Sequence, residues 1–241
     1  MSLSNALSYL TVLPIPFKPE TPLSRSVHYF PLVGAAMGSF LVIMAVALKA
    51  VLPLSLAITL LVLLLEIMTG GMHLRGLADA ADDLKKIGSY SARFVSPPVG
   101  FLGLGVVTFT LLAKTASLLF MQESWQGYAL LLTPILGRSA QALGLIFCRH
   151  QLAGDFAHRE FIQRRRIRAF CFVLMLMSLT TLLPIKIAVL IVAEYFLGIY
   201  LLFRFFNRRH QGLNLSALSA VSEISELNLL MICAVASHFY K

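Results

Sequence analysis

The sequence predicts an all-α fold, a polytopic transmembrane helical bundle of six to seven helices arranged as three hairpins plus a terminal helix. Composition is the first observation: 58% of the 241 residues are hydrophobic and 13% are charged, whereas soluble domains carry roughly 25% charged residues. The second is a series of apolar stretches near the length of about 20 residues that crosses a membrane as a helix. Strands that do not close into a barrel would leave backbone donors unsatisfied in lipid, so the stretches are assigned as helices.

The apolar stretches follow one another along the whole chain, at residues 28–51, 52–68, 99–121, 127–148, 169–185, 186–206 and 214–239. Short, nearly uncharged connectors alternate with longer polar ones. The short connectors are residues 52–53, 122–126 and 183–186, and the polar ones are residues 69–98, 149–168 and 207–212. This alternation predicts hairpins with their polar ends on one side. Residues 1–241 are expected to form a single integral-membrane domain, in which the seventh stretch is either a full span or a half-buried helix.

Positive charge is concentrated at the polar ends of the predicted hairpins. Six arginines lie within residues 149–168, and Arg204, Arg208 and Arg209 end the third hairpin. By the positive-inside rule this side faces the cytoplasm. The net charge of +9 is explained by this topology and by attraction to anionic head groups, so nucleic-acid binding is not needed to account for it. Steering of a polyanionic substrate toward the membrane surface is the alternative role of the same arginines.

A histidine and three carboxylates follow directly after the second apolar stretch, at His73, Asp79, Asp82 and Asp83. Asp79 and Asp82 are three residues apart and share one face of a helix. Hard oxygen ligands suit Mg²⁺, which takes one or two carboxylates together with water and substrate phosphates. The segment therefore predicts a pocket for a metal and a phosphate. In the alternative interpretation the carboxylates cap and solvate an interfacial helix, and Arg75 pairs with Asp79.

Charged residues also occur inside the predicted spans. Glu223 and Glu226 lie in the last apolar stretch and should face the bundle interior or a wet cavity, because a carboxylate in hydrocarbon costs at least a few kcal/mol. A helix-packing seam is the alternative, which explains the neighbouring serines but not the glutamates. Arg138 either binds a phosphate bidentately or neutralises a glutamate. Glu66, near the end of an apolar stretch, is expected to be a snorkelling interfacial residue without a functional role.

Five ordered stretches resemble motifs of one known family. Residues 8–16 (SYLTVLPIP) are similar to SFLTRLPVP, residues 30–38 (FPLVGAAMG) to FPLVGLLLG, and residues 69–83 (TGGMHLRGLADAADD) to TGGLHLDGLADTADG. Residues 137–138 fall where the family has a Ser-Arg pair, and residues 212–226 (GLNLSALSAVSEISE) follow the pattern GLTGDVLGAANELSE. On these motifs the chain is identified as a member of the cobalamin synthase family, the adenosylcobinamide-GDP ribazoletransferases.

The resemblance implies an integral membrane enzyme of the last assembly step of vitamin B12 synthesis. Such an enzyme joins α-ribazole, or its 5′-phosphate, to adenosylcobinamide-GDP with release of GMP and with Mg²⁺ as cofactor. It implies a multi-pass protein of the bacterial or archaeal cytoplasmic (inner) membrane whose active site faces the cytoplasm. The expected partners are the two substrates and the lipid bilayer. A homo-oligomer, or a complex with other corrinoid enzymes, is left open.

The resemblance also implies roles for individual residues. The expected catalytic residues are His73, Asp79 and Asp82, with His73 as the candidate base because an unperturbed imidazole titrates nearest neutral pH. The expected metal ligands are Asp79, Asp82 and Asp83. The expected substrate-binding residues are Arg75, Arg138, Glu223 and Glu226.

Three acidic positions of the family are replaced in this chain. Arg75 stands where the family has the Asp of HLDG, Ser96 replaces the first residue of its DSRxG element, and Ser216 replaces the Asp of TGD. Losing these acids, one of them to a cation, should weaken the binding of a divalent metal. A second interpretation is therefore a catalytically degenerate member that acts as a corrinoid-binding or scaffolding membrane subunit. A third is a small transporter, although the sequence has no visible inverted repeat.

Overall fold

The computed structural model describes residues 2–16, 26–85, 100–147, 173, 177, 178, 183, 185–210 and 213–239. This part of the chain forms eight α-helices, and a short 3₁₀ turn, Val27–Tyr29, leads into the second of them. In chain order the helices are α1 (Ser2–Leu10), α2 (Phe30–Val51), α3 (Leu54–Met68), α4 (Met72–Lys85), α5 (Phe101–Phe120), α6 (Glu123–Phe147), α7 (Ile185–His210) and α8 (Leu215–Phe239).

Five of these helices, α2, α5, α6, α7 and α8, are long and apolar enough to cross a membrane. The pair formed by α3 and α4 passes the same test together, but it is bent by 84° at the break between them. Large apolar side chains on the outside of the bundle are exposed as lipid-facing residues are, among them Val46 at 71% and Leu112 at 66%. The prediction of a polytopic all-helical bundle is confirmed, and the chain is a multi-pass membrane protein.

The predicted apolar stretches agree with α2, α3, α5, α6, α7 and α8 to within a few residues, whereas α1 was not predicted and the predicted connector 207–212 is helical as far as His210. α6 begins at Glu123, so residues 122–126 are not a connector. The first turn of the helix includes Trp125, whose backbone N–H donates to the Gln122 carbonyl at 3.0 Å. The polar connector after α3 contains a helix of its own, α4. The seventh apolar stretch corresponds to α8, which is long and apolar enough to span. The predicted stretch at 169–185 lies almost entirely outside the described residues.

The central helix of the bundle is α6, with 89% of its most apolar window buried. α2 crosses it at close range, because Gly34 and Gly38 bring the α2 backbone against the carbonyl groups of Pro134 and Leu131, and a Cβ at either glycine would collide with them. Small residues at this spacing allow such close approach between membrane helices. The crossing fixes α6 inside the bundle and so fixes the depth of Arg138, one turn further along.

The break between α3 and α4 depends on two consecutive glycines. Gly70 and Gly71 have φ of 63° and 66°, in the left-handed region that glycine adopts without strain. Their N–H groups donate to the carbonyls of Ile67 and Glu66, both at 2.9 Å, which closes the end of α3. The chain therefore turns sharply, and α4 packs against α8 instead of continuing along α3.

Candidate functional site

Lys114 of α5 lies at the centre of an ion cluster buried in the bundle. Its Nζ donates to Glu66 Oε1 at 2.8 Å, to Glu223 Oε2 at 2.7 Å and to Glu226 Oε2 at 2.8 Å. The lysine side chain is 0% exposed. The carboxylates come from α3 and α8, so the cluster joins three helices. An ammonium group has three protons to donate, and each of them is used here.

Arg138 of α6 adds a second cation to this cluster. Its Nη1 donates to Ser222 Oγ at 2.7 Å and lies 3.5 Å from Glu226 Oε1. Arg138 thus pairs with a glutamate, which is one of the two roles left open for it, and phosphate binding stays a prediction. Three glutamate carboxyl groups thus share two cations in the cluster. Buried charges are tolerated in such a place because they are paired and hydrogen-bonded.

His73 of α4 is buried beside the same cluster, with 1% of its surface exposed. Its Nδ1 lies 2.9 Å from Gln141 Nε2, on the α6 face that also carries Arg138. Both Arg138 and Lys114 are close enough to act electrostatically on the imidazole. Among the described residues, His73 Nε2 and Gln141 Oε1 have no hydrogen-bond partner. An unpaired imidazole nitrogen beside a charged cluster is available to accept or donate a proton.

Asp82 of α4 caps the N-terminus of α5. Its Oδ2 accepts from the Gly100 N–H at 2.6 Å and its Oδ1 accepts from the Gly103 N–H at 2.8 Å. A Cβ at either glycine would collide with the carboxylate. Free N–H groups and a positive dipole end make a helix start favourable for a carboxylate. Asp82 therefore holds α4 against the helix that carries Lys114.

Asp79 lies between two contact faces of α4. Asp82 faces α5, and the backbone of Gly76 lies against Ser219 of α8. At 3.6 residues per turn, Asp79 falls between these two positions on the helix surface. The Asp79 side chain is half-buried. Arg75, one turn before it, is exposed, and no ion pair between these two described side chains is present. The interpretation in which Arg75 pairs with Asp79 is therefore not what the structure shows.

Asp83 lies at the end of α4 where α7 meets it. Its carbonyl oxygen accepts from Arg209 Nη2 at 2.7 Å, and its side chain is half-buried. This contact joins the arginine-bearing end of α7 to the acidic helix. The predicted polar ends of the first and third hairpins thus lie on the same side of the bundle.

The structure brings three of the predicted site residues, Arg138, Glu223 and Glu226, into one buried network, and His73 is buried beside it. Asp79, Asp82, Asp83 and Arg75 lie on the other faces of α4, and the described parts of the chain show no contact between them and the glutamates. The buried glutamates face the interior, as predicted, but their cation is a lysine of α5.

The prediction for Glu66 was wrong. It is 6% exposed and binds Lys114, so it does not snorkel to the interface. The physical reason is the break at Gly70 and Gly71, which ends α3 inside the bundle. Lys114 and Gln141 were missed altogether. Lys114 is the one charged residue of α5, and a lone charge within an apolar span is the signal that would have identified it.

Glu66, Glu223 and Glu226 are also the one group of acidic or imidazole side chains in the described residues whose ligand atoms lie within 4.8 Å of one another. Lys114 Nζ occupies the middle of this group. Asp79, Asp82 and Asp83 do not form such a preassembled group. Their carboxylates are nevertheless hard oxygen ligands, which is the type that Mg²⁺ accepts.

Comparison with known proteins gives a consistent set of similarities. A family model described as cobalamin-5-phosphate synthase matches residues 2–234. The adenosylcobinamide-GDP ribazoletransferase of a Thermoanaerobacter species is 28% identical over 239 residues, covering 96% of this chain and 95% of the relative. Proteins of the same name from Pseudomonas fluorescens and Stutzerimonas stutzeri are 37% and 39% identical over 153 residues, covering 59% of this chain in both cases and 61% and 60% of the relatives. No solved structure is similar to the chain at a significant level.

Proposed function

The chain belongs to the cobalamin-5-phosphate synthase family, and we propose that it is a working adenosylcobinamide-GDP ribazoletransferase. In this reaction a hydroxyl group of α-ribazole, or of its 5′-phosphate, attacks the phosphorus attached to the cobinamide, and GMP leaves. The family match extends over residues 2–234, and relatives with this name align over almost the whole chain. Neither the relatives nor the described residues favour a scaffold or a transporter.

One observation carries the proposal at the level of the site: three distant segments that resemble family motifs converge on a single buried cluster. His73 comes from the 69–83 segment, Arg138 from the middle of α6, and Glu223 and Glu226 from the last helix. The hydrogen bond from Arg138 to Ser222 spans 84 residues of sequence, and the contact between His73 and Gln141 spans 68. Because buried charges are costly unless they serve a purpose, such a convergence supports an active site.

The proposed reaction needs positive charge near the diphosphate and a proton acceptor near the attacking hydroxyl. Arg138 and the exposed Arg75 supply the positive charge in this proposal. His73 supplies the acceptor, provided that Nδ1 carries the ring proton. Rotation of the Gln141 amide meets this condition. Gln141 Oε1, which is otherwise unpaired, then accepts from His73 Nδ1–H, and His73 Nε2 is left as the base.

Mg²⁺, which the family implies, would be held by Asp79, Asp82 and Asp83. Bound there, it would supply charge neutralisation to the phosphate oxygens. Of the replaced acids, Ser96 lies outside the described residues, while the backbone of Ser216 lies beside Gly76, the residue that follows Arg75. The α4–α8 crossing therefore carries less negative charge than the family motifs would give it. We infer that Arg75 compensates by binding a substrate phosphate directly.

The proposed location is the cytoplasmic membrane, with the site open to the cytoplasm. Arg204, Arg208 and Arg209 end α7, and Arg209 contacts α4. A cluster of arginines at one end of a span favours the cytoplasmic side. The acidic helix and the arginines would then face the compartment in which charged nucleotide substrates are dissolved.

The experiment is a direct assay of the purified, detergent-solubilised protein. With adenosylcobinamide-GDP, α-ribazole and Mg²⁺ we expect a dimethylbenzimidazole-type cobamide and GMP in equal amounts, measured by liquid chromatography. Arg138→Ala should abolish both products, whereas Lys49→Met, which removes a lysine outside the cluster, should retain them. Corrinoid binding without GMP release at every Mg²⁺ concentration would overturn the proposal in favour of a scaffolding subunit.

A further inference from the structure

Lys114 occupies the position that a cation takes in a carboxylate-ligated metal site. The three oxygens that accept from it belong to three different side chains on α3 and α8, and they surround its Nζ at 2.7 to 2.8 Å. Their ligand atoms are close enough to one another to hold a single ion. Divalent cations with hard oxygen ligands are bound by the same groups at about 2.0 to 2.6 Å. The cluster differs from a metal site in the identity of its cation.

We propose that Lys114 is a built-in cation that takes the place of a divalent ion in this cluster. It holds Glu66, Glu223 and Glu226 together in the wild-type protein and keeps metal out of the deep end of the site. A chain that lacks the ammonium group then becomes a divalent-cation binder at this position. The inference concerns the cluster itself and does not rest on the transferase reaction.

The charge balance supports this assignment. Counted formally, with every carboxyl group ionised, the cluster with Lys114 holds three carboxylates and two cations, a net charge of −1. Without it, three carboxylates and Arg138 leave −2, which a single divalent ion cancels. All of these side chains are at least nine-tenths buried, so water cannot screen the repulsion between the carboxylates.

A second observation indicates that the cluster has spare capacity for a ligand. Glu226 Oε1 is buried, accepts no hydrogen bond within the described residues, and lies 3.5 Å from Arg138 Nη1. The same glutamate uses its other oxygen for Lys114. An ion that replaces the ammonium would therefore find one more oxygen available than the lysine uses.

A functional consequence follows for the division of the site. The ion cluster of Lys114, Glu66, Glu223 and Glu226 needs no metal, because Lys114 already joins α3, α5 and α8. Mg²⁺ that serves the proposed reaction would then bind at the α4 carboxylates, Asp79, Asp82 and Asp83. Metal removal should then stop turnover while the ion cluster and the bundle remain intact.

The test removes the Lys114 ammonium group and measures how many Mn²⁺ ions each chain binds. Lys114→Met keeps an unbranched apolar stem, and Mn²⁺ binding to the detergent-purified full-length variant is measured by electron paramagnetic resonance. We expect one more Mn²⁺ per chain than in the wild type, together with a thermal unfolding midpoint that rises with Mn²⁺ in the variant more than in the wild type. Lys49→Met is the matched control, because Lys49 pairs with Glu123, whose side chain is 82% exposed. It should bind the same number of ions as the wild type.

Two further outcomes decide the proposal. Glu66→Gln added to Lys114→Met should weaken binding of the extra Mn²⁺ by about tenfold or more, because a charged ligand is lost. This double variant also restores the net charge of −1, so it carries the test if Lys114→Met alone does not fold: it should still bind more Mn²⁺ than the wild type. Equal Mn²⁺ counts in the wild type and in whichever variant folds would overturn the proposal.

Discussion

Gly76 of α4 lies so close to Ser219 of α8 that a single methyl group at residue 76 would overlap the serine side chain. This contact sets how near the acidic helix approaches the helix that carries Glu223 and Glu226. The contact also fixes the angle at which His73, one turn earlier, enters the interior. The geometry of the site therefore depends on the absence of one side chain.

We predict that Gly76→Ala lowers both stability and turnover. Overpacking a close helix contact costs about 1 to 3 kcal/mol in the free energy of unfolding. Thermal unfolding in detergent and GMP release measure the two effects. Gly105→Ala is the control, since a Cβ at Gly105 meets nothing within 4 Å. An unchanged unfolding midpoint in Gly76→Ala would contradict the close crossing.

Asp79→Asn and Asp82→Asn should separate metal binding from helix capping. Asp82 caps α5, so its loss should lower the free energy of unfolding by about 0.5 to 2 kcal/mol. Asp79 has no such contact in the described structure, so Asp79→Asn should leave unfolding unchanged and raise the Mg²⁺ concentration needed for turnover. Thermal unfolding and Mg²⁺ titrations of activity distinguish the two. Equal effects of both substitutions on stability would be inconsistent with the different contacts of these residues.

Glu226→Gln should destabilise the bundle far more than Glu123→Gln. Glu226 serves both Lys114 and Arg138 in the buried cluster, and breaking such a pairing costs about 3 to 5 kcal/mol. Glu123 is 82% exposed and pairs with Lys49 at 3.6 Å at the surface, so its substitution should leave the unfolding midpoint almost unchanged. Chemical or thermal unfolding in the same detergent provides the comparison. Similar midpoints for the two variants would argue that the ion cluster does not form.

His73→Ala should reduce kcat by about 10² to 10⁴, the range for loss of a positioned base, with little change in KM. Gln141→Ala should reduce kcat less, because it removes the partner that orients the imidazole and leaves the ring in place. Steady-state kinetics on both substrates measures the split between kcat and KM. If Gln141→Ala matched the wild type, the amide rotation proposed above would have no part in catalysis.

Arg75→Asp together with Ser216→Asp restores two family acids at the α4–α8 crossing. We expect the Mg²⁺ concentration for half-maximal turnover to fall by about tenfold, since charged oxygen ligands are added near Asp79. The KM for adenosylcobinamide-GDP should rise, because Arg75 no longer meets its phosphate. Ser216→Ala is the control for side-chain loss alone. Unaltered Mg²⁺ dependence in the double variant would place the metal elsewhere.

Much of the fold could be predicted from the sequence, because apolar length is a local property. α2, α5 and α8 follow directly from stretches that match the membrane thickness, and burial of Glu223 and Glu226 follows from the cost of charge in lipid. The break between α3 and α4 occurs at Gly70 and Gly71, at the start of the segment that the sequence predicts as a polar connector. The 84° bend itself was not predicted, since glycine permits a turn without specifying its angle.

The partners within the cluster could not be predicted, because they are distant in sequence. Lys114 is 48 residues from Glu66 and 109 from Glu223, and no helical periodicity connects positions that far apart. Asp82 was predicted as a metal ligand from its spacing to Asp79, yet its contacts are with the start of another helix. Spacing along one helix indicates which residues share a face, but it does not indicate what that face meets.

The shortness of α3 has a consequence for where the ion cluster lies in the membrane. Its 15 residues extend about 22 Å, less than the roughly 30 Å of hydrocarbon in a typical bilayer. A helix of this length that starts at one head-group level ends inside the hydrocarbon, so the ion cluster at its end would lie below the opposite head groups. We therefore expect turnover to depend on the acyl-chain length of the surrounding lipid.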